Sequence, residues 1–252
     1  YPHGMLDPWF KRTYPLKHLK KWTYWPWADY RVLRDATGVL FTTRRELILA
    51  RQSFCLYKAN ECLVGSGTSA PPDHADSQIS KFYSQFSHLY KKRIILYCSR
   101  IHPKKGLDLL IDAFASVADM DPLLHLFIAG PGNAEFVASL QQRAKTIGIN
   151  DKITWTGMIS GDLKWGAFRS AELFCLPSHQ ENFGIAVVES LAVGVPVAIS
   201  SQVNIYGDVV AANAGLVFDD NLNDLILCLK NWLAFDASAK ERMSMNASRL
   251  FG

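Results

Sequence analysis

Two carboxylates frame the segment Glu181-Asn182-Phe183-Gly184-Ile185-Ala186-Val187-Val188-Glu189, which follows the apolar run Leu173 to Pro177. The segment reads as a turn entering a helix. At about 1.5 Å rise per residue, Glu189 falls near the second turn, at the same end of the sheet as Glu181. Carboxylates accept hydrogen bonds from sugar hydroxyls. Free N–H groups at a helix start hold phosphate oxygens, and Gly184 lets a ligand approach the backbone. A second segment, Ser99-Arg100-Ile101-His102-Pro103-Lys104-Lys105-Gly106, also follows a strand and precedes a helix. Arg100 offers a planar fork and Lys105 a point charge, a pair suited to a diphosphate. Each segment alone also fits a plainer reading, as two solvated glutamates on an ordinary strand–turn–helix or as a solvated basic turn.

The elements that must position these residues are legible between 93 and 218. Ile94 to Cys98 is a short run rich in β-formers. After it, Leu107, Leu110, Ile111, Phe114 and Val117 recur at helical spacing. Leu124 to Ala129 reads as a strand ended by Gly130-Pro131-Gly132. Residues 134–147 read as a helix stopped by Gly148. Strand 152–156, helix 162–170, strand 173–177, helix 184–193, strand 195–200, strand 215–218 and helix 222–233 complete the series. Such alternation predicts an α/β fold with a Rossmann-like parallel sheet covered on both faces. In such sheets ligands bind outside the carboxyl ends of the strands. The loops at 100–106, 130–133, 156–161 and 178–184 are therefore the places to look. Residues 1–64 read as a separate, incomplete α/β piece, with a basic aromatic helical stretch (13–36), strand 39–42, helix 44–52 and strand 62–64. Residues 65–92 read as a linker, and residues 93–252 as the main domain.

The composition is that of an ordinary globular chain: 252 residues, 49% hydrophobic and 20% charged. A net charge of +4 is too small to make nucleic acid the main partner. All of that excess lies in residues 1–35. The five cysteines (Cys55, Cys62, Cys98, Cys175, Cys228) show no C-x-x-C spacing, which points to a reducing compartment and against a zinc site or disulfide framework. No apolar run reaches the length of a membrane span. Pro2-His3-Gly4 reads like the middle of a protein.

Taken together, the motifs resemble family 4 of the retaining glycosyltransferases, in the GT-B superfamily. The resemblance runs from about Ile94 to Phe218. It rests on Ser99-Arg100 with Lys105-Gly106, Ile128-Ala129-Gly130-Pro131-Gly132, Thr156-Gly157-Met158, Leu176-Pro177-Ser178, the Glu181 to Glu189 segment and Gly194-Val195-Pro196-Val197. It implies that Arg100 and Lys105 bind the donor diphosphate, Glu181 the donor sugar and Glu189 the ribose. Asn182, Phe183, Gly184 and Ile185 would complete the donor loop, and Ile159 and Lys164 the base pocket. Pro2-His3-Gly4-Met5-Leu6-Asp7-Pro8-Trp9 looks like the end of the acceptor domain of such enzymes, which puts His3 beside the transferred sugar. On this resemblance the chain is expected to be a fragment, without the family's glycine-rich loop, most of its acceptor domain and its usual final helix.

The resemblance implies transfer of a hexose from a UDP-, GDP- or ADP-linked sugar to a hydroxyl on a glycan, lipid-linked sugar or polysaccharide precursor, with retention of configuration. No D-x-D-like pair is expected in the donor half, and so no essential metal and no cofactor. A cytoplasmic location is expected. The stretch Trp9 to Tyr30 is basic and aromatic, so it suits peripheral contact with the inner membrane face. The better reading is a crossing helix whose aromatics pack against the acceptor domain. Three rivals stay open. A retaining glycosidase also uses two carboxylates but has no use for a cationic phosphate site. A GT-B epimerase or phosphorylase shares the fold. A non-catalytic nucleotide-sugar-binding module is the third, and this chain by itself is expected to transfer sugar weakly or not at all.

Overall fold

The computed structural model describes residues 1–65 and 67–251. Ser66, within the expected linker, and Gly252, at the end of the expected main domain, lie outside the described residues. The chain divides into two compact units.

The smaller unit holds residues 1–67 together with Gln180–Phe183. Three short helices come first: α1 (Trp9–Thr13), α2 (Pro15–Tyr24) and α3 (Asp29–Asp35). The expected single helical stretch is broken because Pro15 can only start a helix and Pro26 has no N–H to continue one. Strand β1 (Val39–Phe41), helix α4 (Arg44–Ala50) and strand β2 (Glu61–Leu63) follow, and the two strands pair in parallel. Trp25 is fully buried, stacks on Phe54 at 3.7 Å between centroids and donates its indole N–H to the Leu56 carbonyl at 2.8 Å. That tryptophan thus builds the unit's own core, whereas Trp27 is 72% exposed. On α2, Leu16 and Leu19 stand exposed among Lys17 and Lys20.

The larger unit holds residues 68–179 and 184–252. Its elements in chain order are α5 (Ala75–Gln85), β3 (Arg93–Cys98), α6 (Leu107–Ala115), β4 (Leu124–Ala129), α7 (Ala134–Ile147), β5 (Ile153–Trp155) and α8 (Gly161–Ser170). The series continues with β6 (Leu173–Leu176), α9 (Ile185–Ala192), β7 (Val197–Ser200), α10 (Tyr206–Ala211), β8 (Gly215–Phe218), α11 (Leu222–Ala234) and α12 (Ala237–Phe251). The strands form one parallel sheet in the order β5-β4-β3-β6-β7-β8. Winding runs outward from the centre in both directions. Crossovers of one hand then place helices on opposite faces. The result is an α/β fold with a doubly wound parallel sheet. β4 is buried at every position, as an interior strand must be, and α6 buries Leu107, Leu110, Ile111 and Phe114.

Three helices of the larger unit, α5, α10 and α12, had no counterpart in the sequence reading. Within the expected linker, α5 packs closely on α8. A Cβ added at Gly166 would lie 2.2 Å from the Gln78 carbonyl oxygen, so only glycine permits this approach. Arg169 closes the contact by donating to Gln78 Oε1 at 2.9 Å and to the Pro72 carbonyl at 3.0 Å. At the other end of the chain, α12 is anchored through Lys240, which donates to Glu172 Oε1 at 2.9 Å. Glu172 also receives Arg93 at 2.6 and 2.7 Å and the Trp232 indole at 3.0 Å. Burial opposes ionisation of Glu172, but Arg93 and Lys240 outweigh it and hold the carboxyl below its usual range. Among the described residues no helix is long and apolar enough to cross a membrane.

Candidate functional site

In the larger unit the strand order reverses between β3 and β6, where the chain leaves the centre once in each direction. The crevice at such a switch point, beyond the carboxyl ends of the strands, is the default ligand site. The loop after β3 carries Arg100 and Lys105. The loop after β6 leads into α9, which carries Glu189.

The first loop is held from several sides. Tyr97, fully buried in β3, donates its hydroxyl to the Arg100 carbonyl at 3.0 Å. Ile101 N–H reaches the Pro131 carbonyl at 2.7 Å. His102 Nδ1 accepts from the Lys104 N–H at 3.1 Å and caps the short turn Pro103–Lys105. Arg100 is exposed, whereas Lys105 is only 9% exposed. Gly106 takes φ +65°, and a Cβ there would lie 2.0 Å from the Pro177 carbonyl oxygen. His179 N–H donates to the Lys104 carbonyl at 2.9 Å. The loop after β3 and the start of the loop after β6 are therefore pressed together.

His179 also bonds Asp220, its Nδ1 lying 2.7 and 2.9 Å from the two carboxylate oxygens. That bond outweighs burial and raises the imidazole above its ordinary value. His179 and Asp220 were not singled out from the sequence. They lie 41 residues apart and no local pattern joins them.

α9 follows Gly184, an N-cap residue with no side chain to cap it, and the first N–H groups of a helix suit an anion. One turn on, Glu189 Oε1 accepts from Lys164 Nζ of α8 at 2.7 Å. Lys164 also lies over the Trp165 ring, 4.8 Å from its centroid. Cys98, at the end of β3, sits by this pair; burial pushes its thiol up to about 12, with the Glu189 charge acting the same way. Ile159 is half-buried in the loop after β5, and Ile185 is 58% exposed.

The smaller unit groups the other expected residues. His3 is exposed, takes φ +47° and stacks on Tyr1 at 5.3 Å. The adjoining Gly4 lies against the Gln180–Phe183 segment, with a built Cβ 3.4 Å from Asn182 Cβ. Asn182 Nδ2 donates to Thr42 Oγ1 at 3.1 Å, and Gln180 Nε2 to Asp7 Oδ2 at 3.0 Å. His3 and the segment bearing Glu181 are thus brought together. Glu46, which the sequence reading missed, underlies this arrangement. It is 4% exposed and accepts from Gly4 N–H at 2.8 Å, Thr42 N–H at 2.9 Å and Thr42 Oγ1 at 2.8 Å. The available signal was Thr43-x-x-Glu46, a capping-box spacing. Thr43 does cap α4 through the Glu46 N–H at 3.0 Å, but the Glu46 side chain turns instead to Gly4 and Thr42.

One expectation needs correction. Asp119-Met120-Asp121 does have D-x-D spacing. It precedes β4, at the amino ends of the strands, where Asp121 pairs with Arg93 at 2.5 Å and Asp119 with Lys152 at 3.0 Å. Both carboxylates face cations at the opposite end of the sheet from the switch point.

Residues 80–249 match the family model described as glycosyl transferases group 1. Mannosylfructose-phosphate synthase of Agrobacterium fabrum is 32% identical over 67% of this chain and 38% of its own length. Phosphatidyl-myo-inositol mannosyltransferase of Mycobacterium leprae is 34% identical over 69% of this chain and 42% of its own. The chain thus spans well under half the length of these relatives. Among solved structures, sucrose-phosphate synthase of Thermosynechococcus elongatus superposes with a TM-score of 0.74 at 21% identity, over 88% of this chain and 55% of that one. HepE of Anabaena, in complex with UDP and glucose, gives 0.74 at 20% identity, over 88% and 62%. At such identities the likeness is one of fold. The family model covers two thirds of the chain, and its matched residues contain the switch-point loops and α9, so this chain belongs to the glycosyl transferases group 1 family.

Proposed function

We propose that this chain forms the nucleotide-sugar site of a retaining hexosyltransferase. The observation that carries this reading is the pairing of two loops at the switch point of a doubly wound sheet. One bears Arg100 and Lys105, and the other opens through Gly184 into the helix that carries Glu189. A nucleoside diphosphate matches that arrangement group for group. Its phosphates meet Arg100, Lys105 and the first N–H groups of α9, and its ribose meets Glu189. The HepE structure, with UDP and glucose bound, supports the same ligand class.

In this reading Arg100, Lys105 and the α9 N–H groups stabilise the charge that develops on the departing diphosphate; such electrostatic stabilisation is the largest single source of rate enhancement in many enzymes. Glu181 and the backbone of Phe183 to Ile185 hold the hexose, with Asn182 bracing the loop and His3 lining the sugar. Ile159 borders the base. The bond from the anomeric carbon to the diphosphate oxygen breaks, the acceptor hydroxyl bonds to that carbon on the same face, and the leaving phosphate oxygen takes the acceptor proton. The acceptor is a glycan, lipid-linked sugar or polysaccharide precursor. The exposed Leu16 and Leu19 among lysines would suit approach to an anionic membrane surface.

The test is calorimetric titration with UDP, GDP, ADP and their sugars, on the native chain and on Arg100→Ala and Lys105→Ala. One hydrogen bond to a charged group contributes roughly 1.5–3 kcal/mol, so each variant should bind about tenfold weaker or worse. Unchanged affinity in both variants would falsify the site.

A further inference from the structure

Lys164 and Glu189 are 25 residues apart in sequence, on α8 and α9, and meet at 2.7 Å. Neither is free to wander. The Lys164 side chain is 25% exposed and that of Glu189 14%. The ammonium is held from a second side by the Trp165 ring, 4.8 Å from its centroid. The bond uses only one carboxylate oxygen. Glu189 Oε1 accepts from Lys164, while Oε2 accepts no hydrogen bond among the described residues. A carboxylate fixed at one oxygen presents the other in a set direction. An unpinned glutamate would have to be ordered at the moment a ligand binds, at the cost of its rotamer freedom.

We propose that Lys164 is a positioning residue: its ammonium aims Glu189 at a ribose hydroxyl and so makes the site prefer ribonucleotides to 2′-deoxyribonucleotides. This rests on the nucleotide-sugar reading above and changes the part Lys164 plays in it, from lining the base to orienting the carboxylate. The chemistry is specific. A carboxylate acceptor rewards a hydroxyl donor and is left unpaired when that hydroxyl is missing, which is where hydrogen-bonding sites discriminate most strongly. A lysine that merely added positive charge would instead strengthen every phosphate-bearing ligand alike.

The experiment uses the full chain. Native protein is titrated with UDP, GDP and ADP to find the ribonucleotide it binds. That nucleotide, its 2′-deoxy counterpart and inorganic pyrophosphate are then titrated into native protein, Lys164→Met and Lys164→Arg. The native chain should favour the ribonucleotide by about ten- to a hundredfold, the range for one hydrogen bond to a charged group. In Lys164→Met the preference should fall close to parity while pyrophosphate affinity holds. Lys164→Arg, which can still pair with Glu189, should keep most of the preference. If Lys164→Met does not fold, Lys164→Gln serves in the same comparison. Discrimination equal to native in the Met or Gln variant overturns the proposal, as does equal weakening of all three ligands. Failure of the native chain to bind any of the three nucleotides overturns the nucleotide-sugar reading itself, and so is told apart from failure of the proposal.

Discussion

Replacing Gly106 by alanine puts one methyl group where two loops meet, and the structure gives its cost. The residue sits at φ +65° and ψ 26°, a left-handed conformation that costs a non-glycine residue about 1–2 kcal/mol. The added Cβ would lie 2.0 Å from the Pro177 carbonyl oxygen and 3.0 Å from its carbon. Both obstacles are backbone, so no side chain can swing away, and overpacking of this kind costs about 1–3 kcal/mol. The sum, about 2–5 kcal/mol, is a large share of a typical domain's stability but leaves most molecules folded at low temperature. The relaxation must part the loop carrying Lys105 from the Pro177–His179 turn and strain the 2.9 Å bond from His179 N–H to the Lys104 carbonyl. Gly148→Ala is the matched control, since Gly148 has φ +88° with nothing within 4 Å of a built Cβ. It should bear only the left-handed cost. Urea denaturation followed by circular dichroism gives the two stabilities, and calorimetry at low temperature gives their affinity for a nucleoside diphosphate. Gly106→Ala should be less stable than Gly148→Ala by about 1–3 kcal/mol and bind at least about tenfold weaker. Equal midpoints for the two variants would refute the close approach. A stability loss without an affinity loss would refute the placement of the diphosphate at this loop.

Other outcomes are expected. Glu189→Gln should weaken binding of free nucleoside diphosphate and nucleotide sugar alike, whereas Glu181→Gln should mainly weaken the sugar-bearing donor; the reverse pattern in calorimetry would mean the two roles are exchanged. His125 is 5% exposed and burial lowers its imidazole to about 4, so between the ordinary 6.5 and that value the unfolded chain binds the extra proton. Stability should therefore fall as pH drops through that window, by at most about 3 kcal/mol at roughly 1.36 kcal/mol per unit, and His125→Gln should flatten that part of the urea-midpoint profile. Glu172→Gln should take the carboxylate from Lys240 and leave Arg93 with Asp121 alone, at the amino ends of the strands. A fully buried pair broken this way loses about 3–5 kcal/mol. Glu172 is a quarter exposed, so about 2–3 kcal/mol is expected in chemical denaturation, with the Gly106 loop and nucleotide affinity untouched.

Much of the larger unit was legible because its signals are local. The β4 run Leu124–Ala129 is apolar throughout apart from His125, and α7 ends where Gly148 can turn left-handed. The motifs at Arg100 and Glu181 lie in single short segments, so their residue types and spacing were visible without any fold. The helix α5 was not legible. Its sequence is polar, and it is held by a backbone approach to Gly166 that no reading of residues 75–85 contains. The same limit applies to α12, whose anchor Lys240 finds Glu172 only across 68 residues. Within the site, the sequence could name Lys164 and Glu189 but not that they bond each other. It held no sign that His179 pairs with Asp220, or that Glu46 gathers Gly4 and Thr42 beneath the segment bearing Asn182. Strand order decided the meetings in the larger unit: with β3 beside β6 at the centre of the sheet, loops far apart in the chain share one end of it. Local propensity sets which residues are strand, helix or turn, but a hydrogen bond between side chains 25 or 41 residues apart exists only once the packed sheet has brought them within reach.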